Sequence, residues 1–403
     1  MTRLTRAIGF IFLLLMLVPV WACDDNNYVS QVNSGNFNNS IGSPAEDACS
    51  AFDGEFQFGV SSYGGVRNWA LDAISDLGTP FHFLYIYILN GGMDNPDDFR
   101  DWYIVPFLDD CKESGATPVF SFYQLLDLGR AHGYSGSEPQ VVQSCLGNSA
   151  CMSDYFYNFV WFLQVLATEY PNAIIDVEPD SWGFMMWAMG VEGNDDPASV
   201  EVKVDQSGFP DVRGFSNDAG GLGKALLALR NTYAPNVRMG WHSSNFRVGT
   251  RPEVVASFFA AMGSWDLLVS EHFHFETDEA LWWEPWDEEL VTRNLDWAAH
   301  VTGEAGLPML LWQVPVGSWD FHLLGSSDRS MIDRLVESGI VGVLFEHLNN
   351  HGDEDPDDYR AVGDFGTVPP VESTAGGTAA TMRDRVTACG SSPVSLSPDS
   401  ICD

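Results

Sequence analysis

Residues 117–122 read TPVFSF and residues 173–180 read AIIDVEPD, and an amphipathic stretch, Asp154–Glu169, lies between them. A short apolar run, a helix and a second short apolar run are typical of two parallel β-strands joined by a crossover helix. The same alternation continues along most of the chain in both directions. It predicts a parallel sheet whose faces are covered by helices.

Eight apolar runs are predicted strands, with helices predicted between them. The strands are Phe56–Val60, Phe81–Leu89, Thr117–Phe122, Ala173–Glu178, Val237–His242, Asp266–Phe273, Pro308–Val314 and Ile340–Phe345. The helices are Asn68–Leu77, Phe99–Glu113, Asp154–Glu169, Leu222–Tyr233, Pro252–Met262, Glu288–Thr302 and Asp328–Glu337. Eight strands close a sheet into a barrel, so the predicted fold class is α/β, a (β/α)8 TIM barrel. An open doubly wound sheet is the alternative, although its usual glycine-rich phosphate-binding turn is not seen.

The N-terminal residues 1–22 are predicted to be a signal peptide. Arg3 and Arg6 precede an apolar run, residues 8–20, that is too short to cross a bilayer. Cys23 follows Ala22 and resembles the lipidated cysteine of bacterial lipoproteins. The chain is therefore expected to be exported and anchored to a membrane, in the periplasm or on the cell surface. A plain secretory signal that is cleaved near Cys23 is the alternative.

The remaining chain divides by composition. A polar flexible tether is expected over 23–48, the barrel over 49–365, and a low-complexity stretch with a cysteine-bearing tail over 366–403. Besides Cys23 the chain has an even number of cysteines, which predicts disulfide bonds in an exported protein. The expected pairs are Cys145 with Cys151, Cys389 with Cys402, and Cys49 with Cys111.

The formal net charge of −37 restricts the partners of the protein. Nucleic acid is excluded as a partner because its phosphates would be repelled. Neutral or cationic partners remain, and a carbohydrate substrate is the partner expected besides the membrane. No organic cofactor is expected.

The chemistry is expected at the C-terminal ends of the strands, where barrels of this type carry their active sites. Asp176 and Glu178 end the fourth strand, and alternate residues of a strand share a face, so both are expected to point into the barrel mouth. Paired carboxyl groups shift each other's pKa and can serve as the acid and base of glycoside hydrolysis. Glu178 is the predicted general acid, and Asp176 is predicted to tune it. A solvated strand end is the alternative.

The second catalytic carboxylate is expected on another strand. Glu271, which stands before two histidines and a phenylalanine, is favoured over Glu346, which is expected to bind sugar hydroxyls. Aromatic and polar side chains near these residues are candidates for stacking on and hydrogen bonding to sugars. The residues expected to bind substrate are Trp182, Trp241, Asn245, His272, Trp312, Gln313 and Glu346. Ordinary packing is the alternative for the tryptophans.

These strand-end motifs resemble those of the TIM-barrel glycoside hydrolases, over roughly residues 52–365. The Glu-Pro pair on the fourth strand is similar to the acid/base segment of the retaining β-glycanase clan. That clan has Asn where this chain has Val177, and a nucleophilic Glu where it has Gln313. Residues 176–178 and 312–313 are similar to the Asp-x-Glu and Trp-Gln motifs of lysozyme-like muramidases, whose first-strand Asp is absent here. The resemblance implies cleavage of O-glycosyl bonds and leaves the linkage open.

Two further alternatives concern metals and function. Strand ends five, six and eight carry histidines that suit zinc, namely His242, His272, His274 and His347. The His-x-His that barrel metallohydrolases carry on their first strand is missing. The acidic run 353–358 is interpreted as a solvated face and not as a calcium loop, so no metal is predicted. The predicted function is an exported lipoprotein glycoside hydrolase acting on a polysaccharide or cell-wall glycan. The alternative is a non-catalytic glycan-binding lipoprotein on the same fold.

Overall fold

The structure, a computed structural model, describes residues 52, 54–61, 81–89, 95–188, 196–243, 251–271, 288–314 and 330–345. Eight parallel strands form a closed barrel in the order β1 to β8, and β1 pairs with β8. The strands are β1 Gln57–Ser61, β2 Phe83–Ile88, β3 Thr117–Phe122, β4 Ile174–Val177, β5 Arg238–His242, β6 Leu267–Glu271, β7 Met309–Val314 and β8 Ile340–Phe345. The predicted TIM barrel is confirmed, and closure removes the open sheet as an alternative.

Helices connect the strands. They are α1 Pro96–Phe99, which continues through a π-helical turn, Arg100–Ile104, into α2 Val105–Ser114; α3 Leu125–Ala131; α4 Glu138–Leu146; α5 Ser149–Glu169; α6 Ser181–Ala188; α7 Ala219–Tyr233; α8 Pro252–Ala260; α9 Glu288–Ala305; and α10 Ser330–Glu337. Short 3-10 turns lie between α6 and α7. No helix in the described ranges has the length and apolar character needed to cross a bilayer.

The strands are buried on both faces, which explains why their sequences are almost continuously apolar. One face packs inside the barrel and the other packs under the helices. Gly59 of β1 shows how tightly the interior is filled. A Cβ atom at this position would lie 2.7 Å from the Cβ of Phe83 and would also collide with Leu344. The interior is therefore a packed core, as is usual for this fold.

The long helix α5 begins earlier than predicted, at Ser149 and not at Asp154. The side chain of Asn148 accepts a hydrogen bond of 2.9 Å from the backbone N–H of Cys151, and such a cap fixes where a helix starts. Helices α3, α4 and α6 were not predicted. The sequence carried a signal for α4, because Ser137 and Gln140 form a capping box around its first turn.

The cysteine predictions have different outcomes. Cys145 and Cys151 form a disulfide bond that joins α4 to α5, as predicted, with their Cα atoms 5.3 Å apart. Cys111 is a free, buried thiol, so its predicted pairing with Cys49 is wrong. Burial raises the pKa of this thiol well above its ordinary value, as expected of a structural cysteine. Cys389 and Cys402 lie outside the described residues.

Other predictions also lie outside the described residues. These are the helix Asn68–Leu77, lipidation at Cys23, the acidic run 353–358, and the boundaries of the signal peptide, tether and tail. They remain predictions from the sequence.

Candidate active site

Three ionisable side chains from neighbouring strands meet inside the mouth of the barrel. Asp176 is the last residue but one of β4, His242 is the last residue of β5, and Glu271 is the last residue of β6. The Nδ1 atom of His242 lies 3.0 Å from a carboxylate oxygen of Asp176, and its Nε2 atom lies 3.5 Å from Oε1 of Glu271. All three side chains are buried. The imidazole of His242 therefore bridges two carboxylates. We call these three residues the central row.

The charges of the central row depend on one another. Burial by itself lowers the pKa of His242, but the negative charges of Asp176 and Glu271 raise it to about 10. The imidazole is therefore a cation at neutral pH. This cation lies between the carboxyl groups of Asp176 and Glu271.

A second set of side chains forms the wall beside the central row. The hydroxyl of Ser121 on β3 donates to Asp176 at 3.3 Å and accepts from the indole N–H of Trp312 at 3.0 Å. The ring of Trp312 meets His242 edge-on with centroids 5.2 Å apart, and it lies 5.7 Å from the ring of Tyr87. Trp312 is buried and packs against the central row, and its role in binding substrate remains a prediction.

The side chain of Gln313 lies in the same wall as that of Trp312, the residue directly before it. Its amide donates to the hydroxyl of Tyr87. Two successive residues of a regular strand would point to opposite faces, but Gln313 has a φ of 52° and the pairing with β8 is irregular here. This local break brings both side chains of the Trp-Gln motif to the mouth.

Glu178 does not share a face with Asp176, contrary to the expectation from strand alternation. Its φ of 54° is left-handed, so the chain leaves the strand geometry directly after Val177. One carboxylate oxygen accepts from the backbone N–H groups of Gln124 and Leu125 at 3.0 and 3.2 Å, and the other accepts from the hydroxyl of Ser181 at 2.9 Å.

The carboxylate of Glu178 therefore binds the first turn of α3 and faces Tyr155 of α5. Its side chain is fully buried, and this burial raises its pKa to about 8, against the lowering effect of its hydrogen-bond donors. A buried acid that caps a helix is a structural arrangement. The sequence could not reveal it, because two of the partners of Glu178 are backbone N–H groups at the start of α3, far away in the chain.

Asp180 is a member of the mouth that the sequence analysis did not single out. It follows Pro179 and is half-buried. Burial, and after it the charge of nearby Glu271, raise the pKa of its carboxyl to about 7, against the lowering effects of His242 and of the hydroxyl of Tyr123. Asp180 is thus partly protonated at neutral pH while it lies within the electrostatic reach of the central row. The signal in the sequence was a third carboxyl at two-residue spacing after the strand.

Backbone strain marks the same place. In the described ranges, Glu178, Asp180 and Gln313 are the non-glycine residues with positive φ, and they follow β4 or lie at the end of β7. Such conformations are costly for residues with a Cβ and cluster at functional sites. Their positions support the assignment of a functional site to this edge of the barrel.

Two of the predicted sugar-binding tryptophans are core residues, so these predictions are wrong. Trp182 and Trp241 are fully buried, with ring centroids 5.9 Å apart, and Trp182 also meets Trp265 edge-on at 6.0 Å. The indole N–H of Trp182 donates to the carbonyl of Val177. Since His242 points into the barrel, the preceding Trp241 must point outward, where it packs under the helices.

The remaining predicted site residues, Asn245, His272 and Glu346, lie outside the described residues, and so does His274. Within the described ranges, no group of three or more His, Cys, Asp or Glu side chains has the arrangement of a metal site.

No family model matches the chain, and no curated protein matches it. Solved structures do match at the level of the fold. GH26C from Muricauda sp. is 11% identical over 75% of this chain and 82% of its own, with a TM-score of 0.47. An endo-β-1,4-glucanase from Xanthomonas axonopodis pv. citri is 12% identical over 72% and 88%, with a TM-score of 0.42.

A putative fructose-1,6-biphosphate aldolase from Coccidioides immitis is 12% identical over 89% of this chain and 93% of its own, with a TM-score of 0.34. One fold hosts many activities, so the chemistry has to be inferred from the side chains at the mouth.

Proposed function

We propose that this protein is a glycoside hydrolase, exported as a lipoprotein through Cys23, that cleaves glycosidic bonds at the mouth of its barrel. The observation that carries the proposal is the position of Asp180. Its half-buried carboxyl, whose pKa is raised to about 7, lies within the electrostatic reach of the carboxyl of Glu271 at the end of β6. Such a pair provides the acid and the base or nucleophile that the hydrolysis of an acetal requires.

Asp180 is the proposed general acid. With a pKa of about 7 it keeps a proton near neutral pH, and it is half-buried and so can meet a substrate in the mouth. Its proton passes to the glycosidic oxygen as the bond between that oxygen and the anomeric carbon breaks. Asp180 replaces Glu178 in this role because the oxygens of Glu178 are held by Gln124, Leu125 and Ser181.

Glu271 is the proposed second carboxylate, in agreement with the preference from sequence. It stabilises the positive charge that develops on the sugar, and it attacks the anomeric carbon or takes a proton from the attacking water. His242, whose pKa is raised to about 10, lies 3.5 Å from Glu271 as a cation. Asp176 holds His242 from the other side and is a positioning residue.

Aryl glycosides with different leaving groups test these roles. Asp180→Asn is expected to lower kcat by about 100- to 10,000-fold on natural glycans. It should retain most activity on dinitrophenyl glycosides, whose leaving group needs no proton. Glu271→Gln should lose activity on both substrates. Glu178→Gln is the matched control, because it is a second carboxyl-to-amide change on the same segment.

Two results would contradict this assignment. Loss of turnover in a folded Glu178→Gln variant, with activity on dinitrophenyl glycosides retained, would return the role of the acid to Glu178. Binding of soluble glycans without any product from the native protein would favour the glycan-binding lipoprotein.

A further inference from the structure

An aromatic cluster stands on the surface just after β2. It consists of Phe99, Trp102 and Tyr103. Trp102 is 62% exposed, whereas Phe99 is buried. Phe99 stacks on Tyr103 with centroids 5.0 Å apart and rings inclined by 18°, and the ring of Trp102 lies 5.3 Å from that of Tyr103 and 5.8 Å from that of Phe99. The rings of Phe99 and Tyr103 thus support the exposed indole of Trp102.

The cluster is attached to the wall of the mouth. The hydroxyl of Tyr103 donates to the backbone carbonyl of Tyr87 at 3.0 Å. Tyr87 precedes the last residue of β2, and its side chain contacts Trp312 and Gln313. The cluster is therefore hydrogen-bonded to the backbone of a residue whose own side chain lines the mouth.

The local backbone is adapted to this cluster. Residues Arg100–Ile104 form a π-helical turn, closed by a hydrogen bond from the N–H of Val105 to the carbonyl of Arg100. Turns of this kind are rare and occur frequently at functional sites. The guanidinium of Arg100 also forms a salt bridge of 2.7 Å with Glu169 of α5, which ties the turn to the neighbouring helix.

We propose that Trp102 is a remote sugar-binding subsite and that the substrate is a polysaccharide or a long oligosaccharide. The inference rests on the proposed function. An exposed, supported indole offers a flat apolar face that suits the C–H face of a pyranose ring. A glycan whose scissile bond lies over the central row reaches Trp102 along the wall formed by Tyr87 and Tyr103. A short substrate fills the mouth only.

The experiment compares Trp102→Ala with Tyr157→Ala in the full chain. Tyr157 lies on α5 and is 60% exposed, so its removal is a matched control for loss of a surface aromatic ring. Binding is measured by the retardation of the protein in native gels that contain a glycan. The glycans are hydroxyethylcellulose, galactomannan, arabinoxylan, laminarin and glycol chitosan. Each variant is also made in the Glu271→Gln background, so that binding is measured without turnover. KM is measured on the best glycan as intact polymer and as oligosaccharides of decreasing length.

Trp102→Ala is expected to weaken binding and raise KM for the polymer about tenfold, as the loss of one aromatic contact implies. The effect should diminish as the oligosaccharide shortens, and Tyr157→Ala should match the native protein at every length. Equal behaviour of the two variants on a glycan that is bound or cleaved would overturn the subsite and leave the proposed function intact. Binding that depends on Trp102 without hydrolysis would support the subsite and contradict the proposed catalysis. A protein that neither binds nor cleaves any of the glycans would contradict both.

Discussion

The end of β4 and the residues that follow it carry three carboxyl groups at two-residue spacing, and each carboxyl group lies in a different environment. In a regular strand Asp176, Glu178 and Asp180 would all point to one face. The positive φ of Glu178 and Asp180 separates them. Asp176 contacts His242 in the barrel, Glu178 binds the start of α3, and Asp180 remains at the mouth. Backbone conformation at single residues thus decides which carboxyl group can act on a substrate.

Glu178 is expected to make stability depend on pH. Its folded-state pKa of about 8 lies above its ordinary value of 4.5, so its contribution is fully present below pH 4.5 and is lost as pH rises through about 8. Glu178→Gln mimics the protonated acid and can still accept from Gln124 and Leu125 and donate to Ser181. The variant should unfold like the native protein at pH 5 and be more stable at pH 9, as urea denaturation would measure.

Glu178→Ala provides the contrast. It leaves buried N–H groups without an acceptor, at a cost of about 1–3 kcal/mol for each. It should therefore be less stable than Glu178→Gln at both pH values. A native protein whose stability does not change between pH 5 and pH 9 relative to Glu178→Gln would contradict the shifted pKa.

Asp180 is expected to set the alkaline limit of activity. A general acid works only while it is protonated, so kcat/KM should fall as pH rises through about 7, the pKa of Asp180. Asp180→Asn should remove this limb along with most of the turnover, and Asp180→Glu should keep the limb with a shifted midpoint. The measurement is a pH–rate profile on a natural glycan. A limb that is identical in the native protein and in Asp180→Glu would argue against the role of Asp180.

At the scale of elements, three neighbouring strands each contribute one ionisable side chain to the central row. β4, β5 and β6 contribute Asp176, His242 and Glu271, and the parallel pairing of these strands places their C-terminal ends side by side. Because β5 lies between the other two strands, its histidine touches both carboxylates. The order of the strands in the barrel thus determines that the histidine lies between the two carboxyl groups.

Asp176→Asn tests this coupling. Loss of one of the two carboxylate charges should lower the pKa of His242, so the imidazole becomes neutral at a lower pH and its positive charge beside Glu271 is lost. The expected result is a fall in kcat that deepens with rising pH, together with a lower His242 pKa measured by NMR titration. Ser121→Ala is the control, because it removes the other hydrogen bond to Asp176 without changing a charge. The same pH dependence in both variants would indicate a role in packing only.

At the scale of the whole molecule, the sequence predicted the barrel well. Strands that are buried on both faces consist of continuous apolar runs, and such runs are recognised directly in the sequence. The β3 and β8 ranges, Thr117–Phe122 and Ile340–Phe345, agree with their predictions. The facing of Glu178 and the burial of Trp182 and Trp241 were missed. These depend on a left-handed residue and on which side of the sheet the helices cover, and neither property has a periodic signal in the chain.

The attachment of the molecule to a membrane is expected to depend on Cys23 alone. A net charge of −37 repels anionic lipid, so the acidic protein has no electrostatic affinity for such a surface. Each buried CH₂ of a lipid chain contributes about 0.8 kcal/mol, and stable anchoring takes more than one chain, so the lipid on Cys23 is expected to carry all the chains that hold the protein. Cys23→Ser should therefore move the protein from the membrane fraction to the soluble fraction and lower the mass of its mature N-terminal peptide by that of the lipid. Ser30→Ala, a neutral change in the predicted tether, should leave both unchanged, and a membrane-bound Cys23→Ser protein would refute the anchor.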